Sequence, residues 1–319
     1  MTRIKTGVIG VGHLGQHHAR IYSELNDSVE LAGIYDLNKE QAEKIAEKCK
    51  CKIFSDYSDL LDNVQAVSIA VPTLAHFKIA SESLKKGIHT LVEKPITATV
   101  EEAKKLLKLA DKHNAILQVG HVERFNSAIR KLSQMIKSPK FIECNRLAPF
   151  GLRGADVSVA LDLMIHDIDI ILSLVKSKVK KIDAQGVAIF TQTEDIANAR
   201  IEFENGCAAN ITASRVSVDR TRKIRIFEPT AYYSVDYSTQ SIKIISKKEK
   251  ADLKSFSNFM DLININVLKI ENEEPLKAEL ESFIDCVSKG KRPLVPGEAG
   301  SQALEIAAEI IKKIRRKTK

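Results

Sequence analysis

An apolar run that ends in spaced glycines, Thr6-Gly7-Val8-Ile9 followed by Gly10-Val11-Gly12-His13-Leu14-Gly15, constrains this chain more than any other segment. Read as a strand, a tight turn and the opening of a helix, it gives each glycine a steric task. Gly10 makes the turn, Gly12 lets a pyrophosphate approach the backbone, and Gly15 lets helix and strand pack closely. His13 and Leu14 lie at the amino end of that helix, where unbonded amides and the helix dipole favour an anion. Alone the motif is weak. It gains weight from Asp36, which closes the second apolar run about 20 residues past the glycines, where a carboxylate can accept hydrogen bonds from adenosine ribose hydroxyls. That carboxylate would repel a 2′-phosphate, so NAD is the expected cofactor. Lys39, three residues on, keeps NADP as the alternative, because a cation there can take up the extra phosphate.

The rest of the first 120 residues repeats the same unit. Residues 14–25, 39–48, 76–86 and 100–113 have helical periodicity, and short apolar runs at 29–35, 66–71, 89–92 and 116–119 read as strands. Continuous apolar strands separated by helices imply a parallel sheet covered on both faces. The expectation is an α/β chain with an N-terminal doubly wound Rossmann domain over residues 1–121. From about residue 141 the rhythm changes to alternating strands at 180–189, 197–203, 208–214, 222–227, 231–237 and 241–245. Glu204-Asn205-Gly206 joins two of these, and Asn-Gly supplies the positive φ of a hairpin. A long helix near 156–175 precedes most of the strands. Two more, 275–288 and 298–315, close the chain around Lys289-Gly290-Lys291-Arg292-Pro293. A second α/β domain, 122–319, with an open, mostly antiparallel sheet is therefore expected.

Composition excludes other classes. With 319 residues, 44% hydrophobic and 28% charged, the chain is long enough for two domains and is neither collagen-like nor disordered. The opening MTRIKTGVIGVG breaks at glycine and has no small-residue cleavage site, so neither a signal peptide nor a membrane span is expected. Cys49, Cys51, Cys144, Cys207 and Cys286 are an odd, scattered set, as expected of reduced thiols in the cytoplasm. A net charge of +8 raises the question of nucleic acid. The basic residues concentrate on helix faces, in Lys247-Lys248-Glu249-Lys250 and in the tail from Lys312 to Lys319, and Trp is absent, so a nucleic-acid partner is not expected.

Two further constellations carry chemistry. Val71-Pro72-Thr73-Leu74-Ala75-His76 and His89-Thr90-Leu91-Val92-Glu93-Lys94-Pro95 each follow a strand, so Pro72, Thr73, His76, Glu93 and Lys94 fall on the rim where ligands bind in open parallel sheets. In the helix near 156–175, Asp162, His166 and Asp169 recur at i, i+4 and i+7 on one face of an otherwise apolar segment. Buried carboxylates need partners, so the stripe either meets a cation such as Lys94 or faces solvent. A helix-stabilising Asp–His pair is the other reading. No HxxxH or HExxH spacing is present there, and no metal is expected.

GVGHLG with Asp36, AVPTLAH, Glu93-Lys94-Pro95 and the Asp162–His166 spacing together resemble the glucose-fructose oxidoreductase, inositol dehydrogenase and rhizopine-catabolism (Gfo/Idh/MocA) family over essentially the whole chain. The resemblance implies an oxidoreductase acting on a secondary alcohol of a sugar or cyclitol, assembled as a homodimer or homotetramer through the second domain's open sheet. It implies that Lys94, Asp162 and His166 are catalytic and touch the substrate. The run Gly120-His121-Val122-Glu123-Arg124-Phe125-Asn126 resembles the family's domain-joining segment, which implies that His121 meets the cofactor and Arg124 the substrate. Where many relatives have glycines around the Asp and before the His, this chain has Leu161-Asp162-Leu163-Met164-Ile165-His166, so its substrate pocket is expected to differ in shape. The same runs are similar to a branch that includes UDP-N-acetylglucosamine 3-dehydrogenases, which makes a nucleotide sugar the first expectation for the substrate. Arg146, Arg153, Arg215, Arg220 and Arg222, whose guanidinium forks suit phosphate, agree with an anionic substrate. A free-sugar or cyclitol dehydrogenase is the second reading. A non-catalytic dinucleotide-binding sensor or regulator is the third, and the joint presence of Lys94, Asp162 and His166 argues against it.

Overall fold

The short apolar runs of the first half become strands buried on both faces. The structure, a computed structural model, describes residues 3–151, 154, 156–248 and 258–317. The chain divides into two units, Met1–Phe125 with Glu274–Leu304 and Asn126–Glu273 with Glu305–Lys319. In the first unit, β1 (Ile4–Ile9), β2 (Val29–Tyr35), β3 (Lys52–Ile53), β4 (Ala66–Ile69), β5 (His89–Glu93) and β6 (Leu117–Gly120) form one sheet. Its order is β3-β2-β1-β4-β5-β6 and every neighbouring pair is parallel. Strand order reverses between β1 and β4, which opens a crevice at the strands' carboxyl ends. All four residues of β4 are buried, as expected of a strand covered on both faces.

The helices of this unit are α1 (Gly15–Glu24), α2 (Lys39–Cys49), α3 (Tyr57–Leu61), α4 (Thr73–Lys85) and α5 (Val100–Lys112). Asn38 caps α2, Asp56 caps α3, and Thr99 with Glu102 forms a capping box on α5. By contrast, α1 and α4 have no side-chain cap, and both open at the carboxyl ends of the central strands. No side chain is committed to either amino terminus, although backbone carbonyls take up the Gln16, His17 and Ala75 amides. α4 starts at Thr73, ahead of the periodicity expected from residue 76, with Pro72 in the capping position.

In the second unit α6 (Ser127–Met135) leads into eight strands: β7 (Phe141–Leu147), β8 (Val179–Val187), β9 (Ile196–Phe203), β10 (Ala208–Ser214), β11 (Thr221–Phe227), β12 (Ala231–Asp236), β13 (Ser241–Lys247) and β14 (Ile263–Lys269). Their order is β14-β13-β12-β11-β7-β10-β9-β8, with only the β7/β10 pair parallel. The expected hairpin is present, turning at Gly206 with φ +81. The helix expected near 156–175 differs: a π-helical turn, Ala160–Met164, precedes α7 (Ile165–Val175). Side chains alternate along β7, where Ile142, Cys144 and Arg146 are buried and their neighbours half-buried. On the half-buried face Phe141, Phe227, Tyr232, Ile245 and Ile265 stand opposite one another across β7, β11, β12, β13 and β14. The first three rings lie 5.7 and 4.8 Å apart.

Residues 274–304 belong with the first unit, a return that a single division at residue 121 does not anticipate. There α8 (Pro275–Lys289) adds Leu276, Leu280, Phe283 and Ile284 to the cluster of Val8, Ile21, Tyr22 and Ile34. An amphipathic helix late in the chain carries no local mark of which sheet it will cover. The last helix, α9 (Gly297–Lys317), begins in the first unit and ends in the second. Among the described residues no helix is long and apolar enough to cross a membrane.

Candidate active site

Steric facts account for each glycine of the first turn. Gly10 has φ +86, and a Cβ there would sit 2.8 Å from the Ala70 carbonyl oxygen. A Cβ on Gly15 would lie 1.8 Å from the Gly10 carbonyl oxygen, so only glycine lets α1 start this close to β1. At Gly12 an added Cβ would meet nothing within 4 Å, so the loop faces open space there. His13 is exposed beside it and Leu14 is half-buried.

Asp36 stands at the end of β2, half-buried. Its Oδ2 accepts the Val11 amide at 2.7 Å and its Oδ1 the Asn38 amide at 2.8 Å. Gln41 donates to the Val11 carbonyl at 2.9 Å, so the glycine loop is braced from both sides. A carboxylate has about four acceptor positions, and two remain for hydroxyl groups. Leu37 and Leu74, which follow Asp36 and Thr73, are 88% and 87% exposed. Each stands directly beside a rim residue, a placement that the periodicity of the sequence does not mark.

Pro72 is exposed and Thr73 half-buried where α4 opens. His76 and Glu93 differ from their expected places on the rim. His76 is buried, with Nδ1 2.9 Å from the Pro95 carbonyl oxygen and Nε2 2.9 Å from that of Val71, so its ring joins two loops. Burial lowers its pKa, and the two carbonyls pull the other way without overcoming it. Glu93 is also buried; its Oε1 meets His18 Nε2 at 3.1 Å and its Oε2 accepts the Lys94 amide at 3.2 Å. Lys94 follows β5 and is half-buried, His121 follows β6 and is buried, and Arg124 lies half-buried in the short 3₁₀ turn Val122–Phe125. The first unit therefore gathers Gly10, Gly12, Gly15, Asp36, Pro72, Thr73, Lys94 and His121 along the carboxyl edge of one sheet.

In the second unit Asp162 occupies the π-helical turn and His166 is the second residue of α7, both half-buried. π-helical turns recur at functional sites. Gly154, with φ +71, comes so near that a Cβ on it would lie 2.9 Å from Asp162 Oδ2. Close backbone approach to this carboxylate is thus supplied by a glycine from the preceding loop instead of by neighbours in the helix. Arg215 holds that loop, donating to the Gly154 and Val157 carbonyls. The residue after His166, Asp167, makes a bidentate ion pair with Arg146, at 2.8 and 3.0 Å, and accepts from the Tyr237 hydroxyl at 3.1 Å. Arg146 and Arg215 are 3% and 4% exposed, so the structure corrects their expected role as phosphate contacts: burial has committed both to internal partners. Arg220 is exposed and Arg222 half-buried at the start of β11, while Arg153 lies outside the described residues. Asp169, third in the expected stripe, is buried. Among the described residues no group of three or more His, Cys, Asp or Glu side chains is placed to hold a metal.

With an open glycine loop, two uncapped helix starts and a rim carboxylate, the first unit fits a dinucleotide. Residues 4–121 match the oxidoreductase family with an NAD-binding Rossmann fold, and residues 150–231 match the GFO/IDH/MocA C-terminal domain. The chain belongs to this family of NAD-binding oxidoreductases. Within it, the chain is 36% identical over 311 residues to the UDP-N-acetylglucosamine 3-dehydrogenase of Acidithiobacillus ferrooxidans, covering 97% of each chain. The solved structure of that enzyme aligns with a TM-score of 0.92 over 99% of each chain. The myo-inositol 2-dehydrogenase of Thermotoga maritima is 25% identical, over 94% of this chain and 93% of its own.

Proposed function

We propose that this oxidoreductase is a nucleotide-sugar dehydrogenase that oxidises the C3 hydroxyl of UDP-N-acetylglucosamine with NAD. The observation that carries the reading is likeness over nearly the entire length to an enzyme of that name, 36% identical. The amides at the start of α1 would hold the cofactor pyrophosphate, Asp36 the adenosine ribose, and Leu37 and Leu74 would offer apolar surface to the adenine. Bound NAD supplies the acceptor for the hydride that leaves the sugar carbon. An imidazole nitrogen of His166 takes the proton of the reacting hydroxyl, and the Asp162 carboxylate orients both. Lys94 Nζ donates to the same oxygen and stabilises its developing negative charge, an interaction that water exclusion strengthens. Of the described arginines, Arg124, Arg220 and Arg222 are the ones we assign to the anionic substrate. Asp36 favours NAD, and NADP is the alternative through Lys39.

The five cysteines are unpaired thiols, which supports a reducing, cytoplasmic setting. The row from Phe141 to Ile265 supports self-association of copies through the sheet face, as a homodimer or homotetramer.

The test is reduction of NAD, and separately NADP, by purified protein offered UDP-N-acetylglucosamine, free glucose or myo-inositol. Turnover of the nucleotide sugar alone, lost in Lys94→Ala with NADH affinity kept, is the expected result. Turnover of the free polyols alone would establish the cyclitol dehydrogenase reading. Cofactor binding without turnover of any of the three would favour a sensor.

A further inference from the structure

We infer that His18, which the proposed reaction does not use, is a positioning residue for Lys94 and acts through Glu93. The inference rests on the role proposed for Lys94. His18 lies on the sheet-facing side of α1 and is fully buried. Its Nε2 is 3.1 Å from Glu93 Oε1, and because a carboxylate only accepts, Nε2 carries the proton and donates. The second oxygen of the same carboxylate receives the Lys94 amide at 3.2 Å. One carboxylate therefore bridges α1 and the backbone of the lysine.

Room has been made for it. A Cβ on Gly120, in the neighbouring strand β6, would lie 2.6 Å from Glu93 Oε1 and 2.7 Å from Oε2, so any larger residue there would displace the carboxylate. An apolar pair of similar volume would hold α1 against β5 at least as well, since desolvating ionisable groups offsets much of their attraction. What an apolar pair cannot do is fix the position of the Lys94 amide. α1 is also the helix whose first turn would receive the cofactor phosphates, so the His18–Glu93 bond sets the lysine relative to the cofactor. A misplacement of about 1 Å in such a group lowers turnover about a hundredfold.

The test compares full-length wild type with His18→Gln, which keeps an N–H near the Nε2 position, and with His18→Leu/Glu93→Met, which replaces the pair by apolar groups. Melting temperature, NADH affinity, kcat and KM for UDP-N-acetylglucosamine are measured, together with the rate at which acetic anhydride acylates Lys94, read by mass spectrometry. The double variant is expected to melt and bind NADH like wild type, with KM within about twofold and kcat down at least about tenfold. The acylation rate of Lys94 should change in parallel, and His18→Gln should recover most of the kcat. Wild-type kcat and an unchanged Lys94 acylation rate in a folded double variant would overturn the inference and leave the pair as packing. If wild type fails to oxidise the nucleotide sugar, the substrate reading falls. A changed acylation rate would still uphold the positioning role, and an unchanged one would remove it.

Discussion

His89 accepts the Ile116 amide at its Nδ1, at 3.0 Å, a bond that only the unprotonated nitrogen can make. Burial lowers its pKa, as it does that of His76. The unfolded chain, with histidines near about 6.5, therefore binds protons at pH values where the folded chain resists them. The sign follows: these residues leave stability intact above that pH, and stability is lost as pH falls through it. Each histidine can contribute a slope of at most about 1.4 kcal/mol per pH unit. Urea unfolding of wild type should show stability falling between about pH 7.5 and 5.5. His89→Asn, which keeps an acceptor but cannot titrate, should show a shallower fall; an equal slope would remove His89 from the account.

At the scale of elements, α7 is held by a charge pair that its sequence does not advertise. Asp167 and Arg146 are both almost completely buried, 21 residues apart, with the Arg146 guanidinium 5.1 Å above the Tyr237 ring. Arg146→Met would leave Asp167 buried with the Tyr237 hydroxyl and no cation, and is expected to cost about 3–5 kcal/mol in urea unfolding. Arg220→Met, at an exposed position, should stay within about 0.5 kcal/mol. Equal effects would contradict the burial argument. The contrast shows what the sequence could and could not reveal. Gly10, Asp36 and Lys94 are legible because the parallel-sheet topology puts the residue after each strand on one rim, and Gly15 because the helix that follows must start close to its strand. The His18–Glu93, Arg146–Asp167 and Arg215–Gly154 pairs join residues 75, 21 and 61 positions apart and leave no periodic trace. The two-residue β3 and five-residue α3 are too short for periodicity to mark, and the π-helical turn at Asp162 has the same apolar spacing as the α-helix it precedes.

On the scale of the whole molecule, the proposed chemistry takes Lys94 from the first unit and Asp162 and His166 from the second. The α/β character of both units was legible from strand rhythm, whereas the assignment of α8 to the first unit depended on tertiary packing of Leu280 and Phe283. Self-association is the other whole-molecule expectation. Light scattering should give a dimer or tetramer for wild type and a smaller species for Tyr232→Asp, which places a charge in the middle of the aromatic row; an unchanged mass would move the interface elsewhere. The central claim is that the C3 hydrogen of the sugar is the one transferred. Incubating the protein with NAD and UDP-N-acetylglucosamine carrying deuterium at C3 tests it directly, by mass spectrometry of the reduced nicotinamide. Deuterium in the NADH is the expected result, and NADH that forms without it, or no NADH at all, would contradict the proposed function.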